Sequence, residues 1–487
     1  MMSLVKSYQV TFSKRGAFMQ TTTKPTNLFW TFLPLSLVLF MSSLDQTITT
    51  TALSGIVADL GQLNLSSWII TGFMLTSAVM TLIFGKLGDI FGRKNILQIA
   101  LAIFLLGSLM SGLATSMPFL IAARVFQGIG AGGLNSLVQA VMADVVPARS
   151  RGKYQALFGL ISMISLVAGP ILGGYFVQFL SWRWIFFINL PIGVIALILQ
   201  AFKLHLPRNN AQTQKIDYLG GLLATAFTTF TLLVVTLGGQ SVAWNSGSMY
   251  TMIAIAIVSL VAYLLVEHRQ KDSALTPLSL FKNGTFVNAS IMFALSTAVL
   301  FVSMIFIPMF AQTIAHVSAS QSGFYIAPTM VAMIVATMIA GSVIEKTGKY
   351  KIFPIIGAVL VGIGFFGLGR LTAYSSTWLI MLWQIPIGLG VGLFTQISLL
   401  AGQNTVAIKD LGTATGVLNF FKTLGGAFGS AIYGVILAVT LAAHSSHALV
   451  AYQTVFNWTI PVAIVLLVLA LALKEEPLSD EVLAYEE

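Results

Sequence analysis

Uncharged apolar runs of roughly 18 or more residues recur from one end of this chain to the other, and they narrow its fold more than any other feature. A helix needs about 20 such residues to cross a ~30 Å hydrocarbon core, whereas a membrane strand needs only about ten. Inside a bilayer the backbone must satisfy its own hydrogen bonds, so runs of this length can only be helices. The composition agrees, with 57% hydrophobic and 8% charged residues and a mean hydropathy of +0.91. Soluble domains carry about a quarter charged residues. The expected fold class is therefore an all-α polytopic membrane protein. Fourteen spans are predicted, at 31–54, 67–87, 95–115, 118–144, 153–180, 184–204, 218–238, 249–267, 286–312, 322–344, 352–371, 376–403, 412–441 and 456–473. No stretch remains for a soluble domain, so any chemistry occurs in or across the membrane. With no cysteine in the chain, disulfides and thiol chemistry are excluded.

An even number of crossings places both ends on one side. Of the 25 Lys and Arg, 21 fall on the tails and loops of that side, Arg183 and Arg370 fall on the other, and Arg124 and Lys422 lie within helices. By the positive-inside rule this basic side is cytoplasmic. The net charge of +10 is explained by that asymmetry without any nucleic-acid partner. Trp68, Trp182, Trp184, Trp244, Trp378 and Trp458 fall near the outer helix ends, as an interfacial aromatic belt would. Residues 1–30, with Lys6, Lys14, Arg15 and Lys24, read as a cytoplasmic tail lacking the short apolar core of a signal peptide. Residues 474–487 read as an acidic cytoplasmic tail. His444 and His447 have loose metal-ligand spacing but no acidic or cysteine neighbours, so no metal site is expected.

The chain also repeats itself. "GKLGDIFGRK" (Gly85–Lys94) follows the second span and "GSVIEKTGKYK" (Gly341–Lys351) the tenth, with Asp89 and Glu345 separated by 256 positions. "AGPILGG" (Ala168–Gly174) in the fifth span has a glycine-rich counterpart, "LGGAFGSAIYG" (Leu424–Gly434), in the thirteenth. Both matches fall on corresponding elements if spans 9–14 repeat spans 1–6. The expected organisation is a six-helix bundle at 31–204, an inserted two-helix hairpin with its linkers at 205–284, and a second bundle at 285–473. Transporters built from such repeats bind their substrates near the midplane between halves.

Asp45 is the one acid deep in a span, where it costs about 2.5–3.5 kcal/mol on insertion scales. At 1.5 Å per residue it stands roughly 20 Å from the basic side. Arg124, entering from the opposite side, reaches nearly the same depth in a ~30 Å core. Matched depth invites an ion pair or a shared water network. That arrangement serves a proton carrier, whose pKa burial raises and a guanidinium lowers, or it is a static structural pair. Lys422 lies about ten residues into its helix and is expected to snorkel to the basic surface. The threonines after Asp45 either tune a cargo or hydrogen-bond back to their own helix. "GIGAGG" (Gly128–Gly133) lies inside an apolar helix without the strand and turn that dinucleotide binding needs, and no nucleotide-binding loop with its domain is visible.

These motifs resemble the major facilitator superfamily, specifically its fourteen-spanner branch of drug:proton antiporters. "GKLGDIFGRK" is similar to the signature loop between the second and third helices. "RVFQGIGAGG" (Arg124–Gly133) resembles the fourth-helix motif, "SLVAGPILGG" (Ser165–Gly174) the fifth-helix antiporter motif, and "WRWIFFINLPIG" (Trp182–Gly193) a signature of the branch. "LDQTITTTALS" resembles its first-helix motif, with Thr50 and Ser54 departing from the usual asparagine and proline. The resemblance implies a non-enzymatic, proton-coupled antiporter that exports lipophilic, cationic or neutral drug-like compounds by alternating access. It would work as a monomer in a bacterial cytoplasmic membrane, with the proton as coupling ion and no other cofactor. An exporter of an endogenous lipid, siderophore, amino acid or metabolite is the alternative on the same fold. Proton coupling is expected at Asp45 and Arg124. Gating is expected at Gly85, Asp89, Gly92, Arg93 and Glu345, and at Gly169, Pro170, Gly173 and Gly174, which equally suit simple close packing. Gln127, Asn135, Asn189, Phe187, Trp383 and Gln396 are candidates for the substrate cavity, although amides in spans more often bond helix to helix.

Overall fold

The computed structural model describes residues 28–62, 65–204, 206, 217–239, 242–270, 274–317, 322–372, 374–407, 410–443 and 448–478. Most of the N-terminal tail, the end of the acidic tail and His444–His447 lie outside the described residues. The described chain is helical throughout: α1 (Leu28–Leu60), α2 (Ser67–Phe91), α3 (Arg93–Gly112), α4 (Met117–Val145), α5 (Arg151–Phe179), α6 (Trp184–Lys203, interrupted at Ile188), α7 (Tyr218–Leu237), α8 (Gly247–Gln270), α9 (Gly284–Thr313), α10 (Ala327–Thr347), α11 (Ile352–Leu368), α12 (Thr377–Asn404), α13 (Leu411–Ala443) and α14 (Ala448–Ala472). Among the described residues, twelve helices are long and apolar enough to cross a membrane. The other two are α5, of 29 residues, and α11, whose 17 residues stand at the short end of the spanning range. α1 runs six residues beyond the end expected at residue 54, because the apolar side chains of Ile56 and Val57 still have a core to enter.

Local chemistry sets the helix ends. Asn283 caps α9 by accepting from Thr285 N (2.8 Å), and Asp217 caps α7 by accepting from Gly220 N (2.6 Å). α2 turns into α3 through Gly92, whose φ of +87° only glycine adopts without strain. The break in α6 precedes Pro191, which has no N–H to give the carbonyl of Phe187.

Helix pairing repeats under a shift of eight. α1 packs on α5, and α2 and α3 pack on α4; likewise α9 packs on α13, and α10 and α11 pack on α12. Between these groups α2 meets α13 and α5 meets α10, contacts that exchange under the same shift. α7 and α8 pair with each other, and α7 leans on α2 and α13. Both cross-group contacts are backbone-close at their basic ends. A Cβ on Gly85 would stand 2.6 Å from Gly412 O, and one on Gly341 would stand 2.7 Å from the carbonyl carbon of Gly152. Gly85 and Gly341 are the corresponding glycines of the repeated loop.

Candidate functional site

Four helices deliver polar side chains to one buried point, and a fifth adds an aromatic ring. Asp45 of α1 is fully buried, and its Oδ2 accepts from Arg124 Nη1 at 2.6 Å. Its Oδ1 accepts from Gln127 Nε2 and from Asn189 Nδ2, each at 2.9 Å. Arg124 and Gln127 sit one turn apart on α4, and Arg124 Nη1 also donates to Gln127 Oε1 (2.7 Å). The interruption of α6 presents Asn189, whose Nδ2 also bonds Ser108 Oγ of α3 (2.9 Å). Ser108 in turn donates to Phe186 O (2.9 Å). From α2, the Phe73 ring lies 4.1 Å below the Arg124 guanidinium, and Phe186 covers it at 5.5 Å. An unpaired charge here would carry a heavy desolvation cost, so the pair and its amides stand or fall together. The carboxylate has three donors, one charged and two neutral, and the Asn189 Oδ1 has no partner. A proton arriving on Asp45 would cancel the Arg124 attraction and require these amides to turn.

The threonines after Asp45 serve their own helix. Thr49 donates to Asp45 O (2.6 Å) and Thr50 to Thr47 O (2.7 Å), while Thr47 also reaches Ser165 O of α5 (3.2 Å). Facing them, a Cβ on Gly169 would stand 2.7 Å from Thr47 Cβ, and one on Gly173 would stand 3.1 Å from Ile48 O. Gly174 differs, since a Cβ there would meet nothing within 4 Å. Pro170 lies within α5, whose backbone stays helical from Arg151 to Phe179.

At the basic end, Asp89 of α2 crosses the seam to the N-terminus of α13. It accepts from Gly412 N (3.0 Å), Thr413 N (2.6 Å) and Thr413 Oγ1 (2.8 Å), where the helix dipole favours a negative charge. Arg93 holds the same carboxylate at 2.8 Å, pairs with Asp144 of α4 and donates to Ala140 O (2.9 Å). All three charged side chains are buried. The repeat copy is looser: Glu345 pairs with Lys153, near the start of α5, at a partly exposed position. It makes an ion pair where Asp89 makes a helix cap. A Cβ on Gly92 would meet nothing within 4 Å, so the glycine serves the turn's positive φ alone.

The cavity candidates scatter. Gln127 and Asn189 belong to the Asp45 cluster. Asn135 reaches Ser42 Oγ at 3.4 Å. Gln396, with its amide turned to donate to Thr337 O (2.8 Å) and accept from Gly341 N (3.2 Å), ties α12 to α10. Phe187 covers Gly112, and Trp383 covers Gly367. Among the described residues, none of Phe187, Trp383 and Gln396 hydrogen-bonds to the Asp45 cluster. Sequence reasoning missed Ser108, Asp144 and Thr413. Asp144 lies at a helix end, where an acid ordinarily reaches water, and only the fold shows that Arg93 covers it.

With this geometry in view, similarity to known proteins is informative. The Major Facilitator Superfamily profile matches residues 35–430 and 290–487. The multidrug transporter protein MdtP of Bacillus subtilis is 35% identical over 83% of this chain and 74% of its own length. An uncharacterized MFS-type transporter of Mycobacterium tuberculosis is 32% identical over 83% of this chain, which spans 59% of that protein's length. Among solved structures, the human organic anion transporter MFSD10 superposes with a TM-score of 0.65 at 14% identity, covering 92% of this chain and all of that one, a likeness of fold alone.

Proposed function

This chain belongs to the Major Facilitator Superfamily, a family of transporters and not of enzymes, and on that premise we propose that it is a proton-coupled antiporter exporting lipophilic drug-like compounds by alternating access. Two six-helix bundles, at 31–204 and 285–473, rock about a cargo route between them, and the α7–α8 hairpin is an insertion that brings the spans to fourteen. The basic side is cytoplasmic, so both termini face the cytoplasm of a bacterial cell, and one copy of the chain suffices. The proton is the coupling ion. The observation that carries the reading is the buried Asp45–Arg124 pair with its two amides. It is the only described carboxylate held at mid-depth, and its charge state changes every bond around it. The names of relatives such as MdtP support drug export. The Asp89 cap and the two glycine crossings seal the basic side, which is the closure an outward-facing or occluded exporter needs.

One proton crossing a potential of ~150 mV supplies about 3.5 kcal/mol, enough for a gradient of roughly 300-fold. The test is uptake of a fluorescent lipophilic dye into proteoliposomes under an imposed pH gradient, comparing wild type with Asp45→Asn of matched size-exclusion profile. Gradient-driven accumulation is expected in the wild type and not in the variant. Equal accumulation in both would remove Asp45 from the coupling role.

A further inference from the structure

Lys422 is a charge the reading above leaves unused. It lies eleven residues after Leu411, the first residue of α13, and so about 16 Å from the basic end, near the middle of a ~30 Å core. It does not snorkel. Its Nζ stands 5.5 Å from the ring of Phe293, a buried residue nine positions into α9, so the ammonium stays at that depth. Among the described residues no carboxylate is within ion-pair distance of it. A mid-membrane ammonium without a counter-charge has to face water or a ligand.

The packing of α13 shows which way it faces. Gly412 and Gly416 turn to α2, while Gly425 and Gly429 turn to Ala294 and Ala298 of α9. Thr415, Asn419 and Lys422 form a stripe between those contacts, at the i, i+4, i+7 spacing of one helix face. Asn419 Nδ2 reaches across to Gln139 Oε1 of α4 at 3.0 Å, so the middle of the stripe faces the first bundle, while Thr415 Oγ1 accepts from Gln403 of α12. One turn farther from the basic side, Lys422 continues that stripe and is only partly covered. At about that depth α4 of the first bundle carries neutral amides, Gln139 and, one turn along, Asn135. The nearest deep acid, Asp45, is fully buried and already held by three donors. The uncompensated charge on the cargo route is therefore positive.

We infer that Lys422 is the counter-charge for the cargo's head group, and that the cargo is an amphipathic organic anion, a carboxylate or similar single-charged head on an apolar body. The inference rests on the space between bundles being the cargo route. It departs from the preference for cationic or neutral compounds that the family resemblance suggests. Exchanging such an anion for an entering proton moves two charges per turnover, so transport responds to membrane potential.

The test uses three probes with one apolar body: pyrenebutyrate, its trimethylammonium counterpart and pyrenebutanol. Equilibrium binding to the full-length protein in detergent is measured without any gradient. The wild type is expected to bind the carboxylate at least about tenfold more tightly than the cation. Lys422→Gln should lose about tenfold or more for the carboxylate while changing the alcohol little, as removal of a charge-assisted contact implies. Lys422→Arg should retain the preference and Lys422→Glu should invert it, which separates charge recognition from a general loss of fold. Carboxylate affinity unchanged in Lys422→Gln, or a wild-type preference for the cation, overturns the inference. Charge-selective binding without pH-driven uptake would overturn the coupling reading alone. Uptake with charge-blind binding would overturn this one alone.

Discussion

Replacing Asp89 by asparagine should unlock the basic side of the molecule. The carboxylate accepts two backbone N–H groups and a hydroxyl from the first turn of α13, and pairs with Arg93. Asparagine keeps the shape but has one acceptor oxygen. Its amide nitrogen would face either the α13 N–H groups or the guanidinium, donor against donor. Hydrogen bonds to a charged group contribute about 1.5–3 kcal/mol each, and breaking a buried ion pair costs about 3–5 kcal/mol. Some of that cost falls on both conformations if Arg93 keeps Asp144 on opening as it holds it here. The share specific to the closed state is the contact with α13, about 3 kcal/mol, which shifts the closed-to-open ratio by roughly a hundredfold. Because the chain has no native cysteine, spin labels can be placed at Phe91→Cys and Lys349→Cys, two exposed positions on different bundles at the basic end. Pulsed-EPR distances should be short and narrow with Asp89 in place, and longer and broader with asparagine. An unchanged distribution would mean that Asp89 caps α13 without holding the closed state, and the latch argument would fall.

The glycine crossings allow a paired experiment. Gly341→Ala places a methyl against the Gly152 backbone, which cannot give way, and should cost about 1–3 kcal/mol and lengthen the same EPR distance. Gly174→Ala meets nothing and should leave detergent melting unchanged or slightly raised, so equal losses in the two would refute the packing account. On the opposite side, beyond the apolar part of α1, Asp59 accepts from Trp182 Nε1 (2.9 Å) and Arg183 Nη1 (2.8 Å). The indole first and the guanidinium second hold its carboxyl below the usual range. With a depressed folded-state pKa, the stabilisation is present above the ordinary aspartate value of about 3.9 and is lost as pH falls through the lower, folded-state value. Carboxyl 13C shifts should place the Asp59 midpoint below that value, with Trp182→Phe and Arg183→Gln each raising it; a midpoint at or above it in the wild type would contradict the geometry.

How much of this was legible in the sequence depended on whether a residue's role was set by its own helix or by a neighbour's. Spacing alone paired Gly85 with Gly341 and Asp89 with Glu345, and those positions lie at the two equivalent crossings. Depth alone brought Asp45 to Arg124, because a fixed rise per residue turns position into height. Height does not give azimuth, however. Lys422 was expected to turn back to the surface, and only the placement of Phe293 shows that it does not. Gln396 joins α12 to α10 and also lies against Gly152 of α5, and Trp383 packs on Gly367 of α11, neighbours that depth alone does not give. Asn189 depends on a local break before Pro191, which aims its amide at Asp45 instead of along the helix.

α4 carries an ion-pair partner of both the buried proton candidate and the latch. Arg124 near one end holds Asp45, and Asp144 near the other holds Arg93, which grips Asp89. The two are twenty residues apart, about 30 Å along a single helix. Glycines on two faces let it pack tightly, Gly128 and Gly132 against α2 and Gly130 against α3, so local bending is disfavoured and a tilt at one end is felt at the other. Spatial continuity is not coupling, and the physical warrant is a measured interaction energy. Asp45→Asn and Asp144→Asn, alone and together, can be read by the same EPR distance as the free energy of opening. Residues this far apart with no shared partner add to within about 0.3–0.5 kcal/mol. If α4 transmits the charge state of Asp45 to the latch, the double variant should depart from additivity by about 0.5–2 kcal/mol. Strict additivity would leave the cluster and the latch as separate devices, coupled only through the bulk rocking of the bundles.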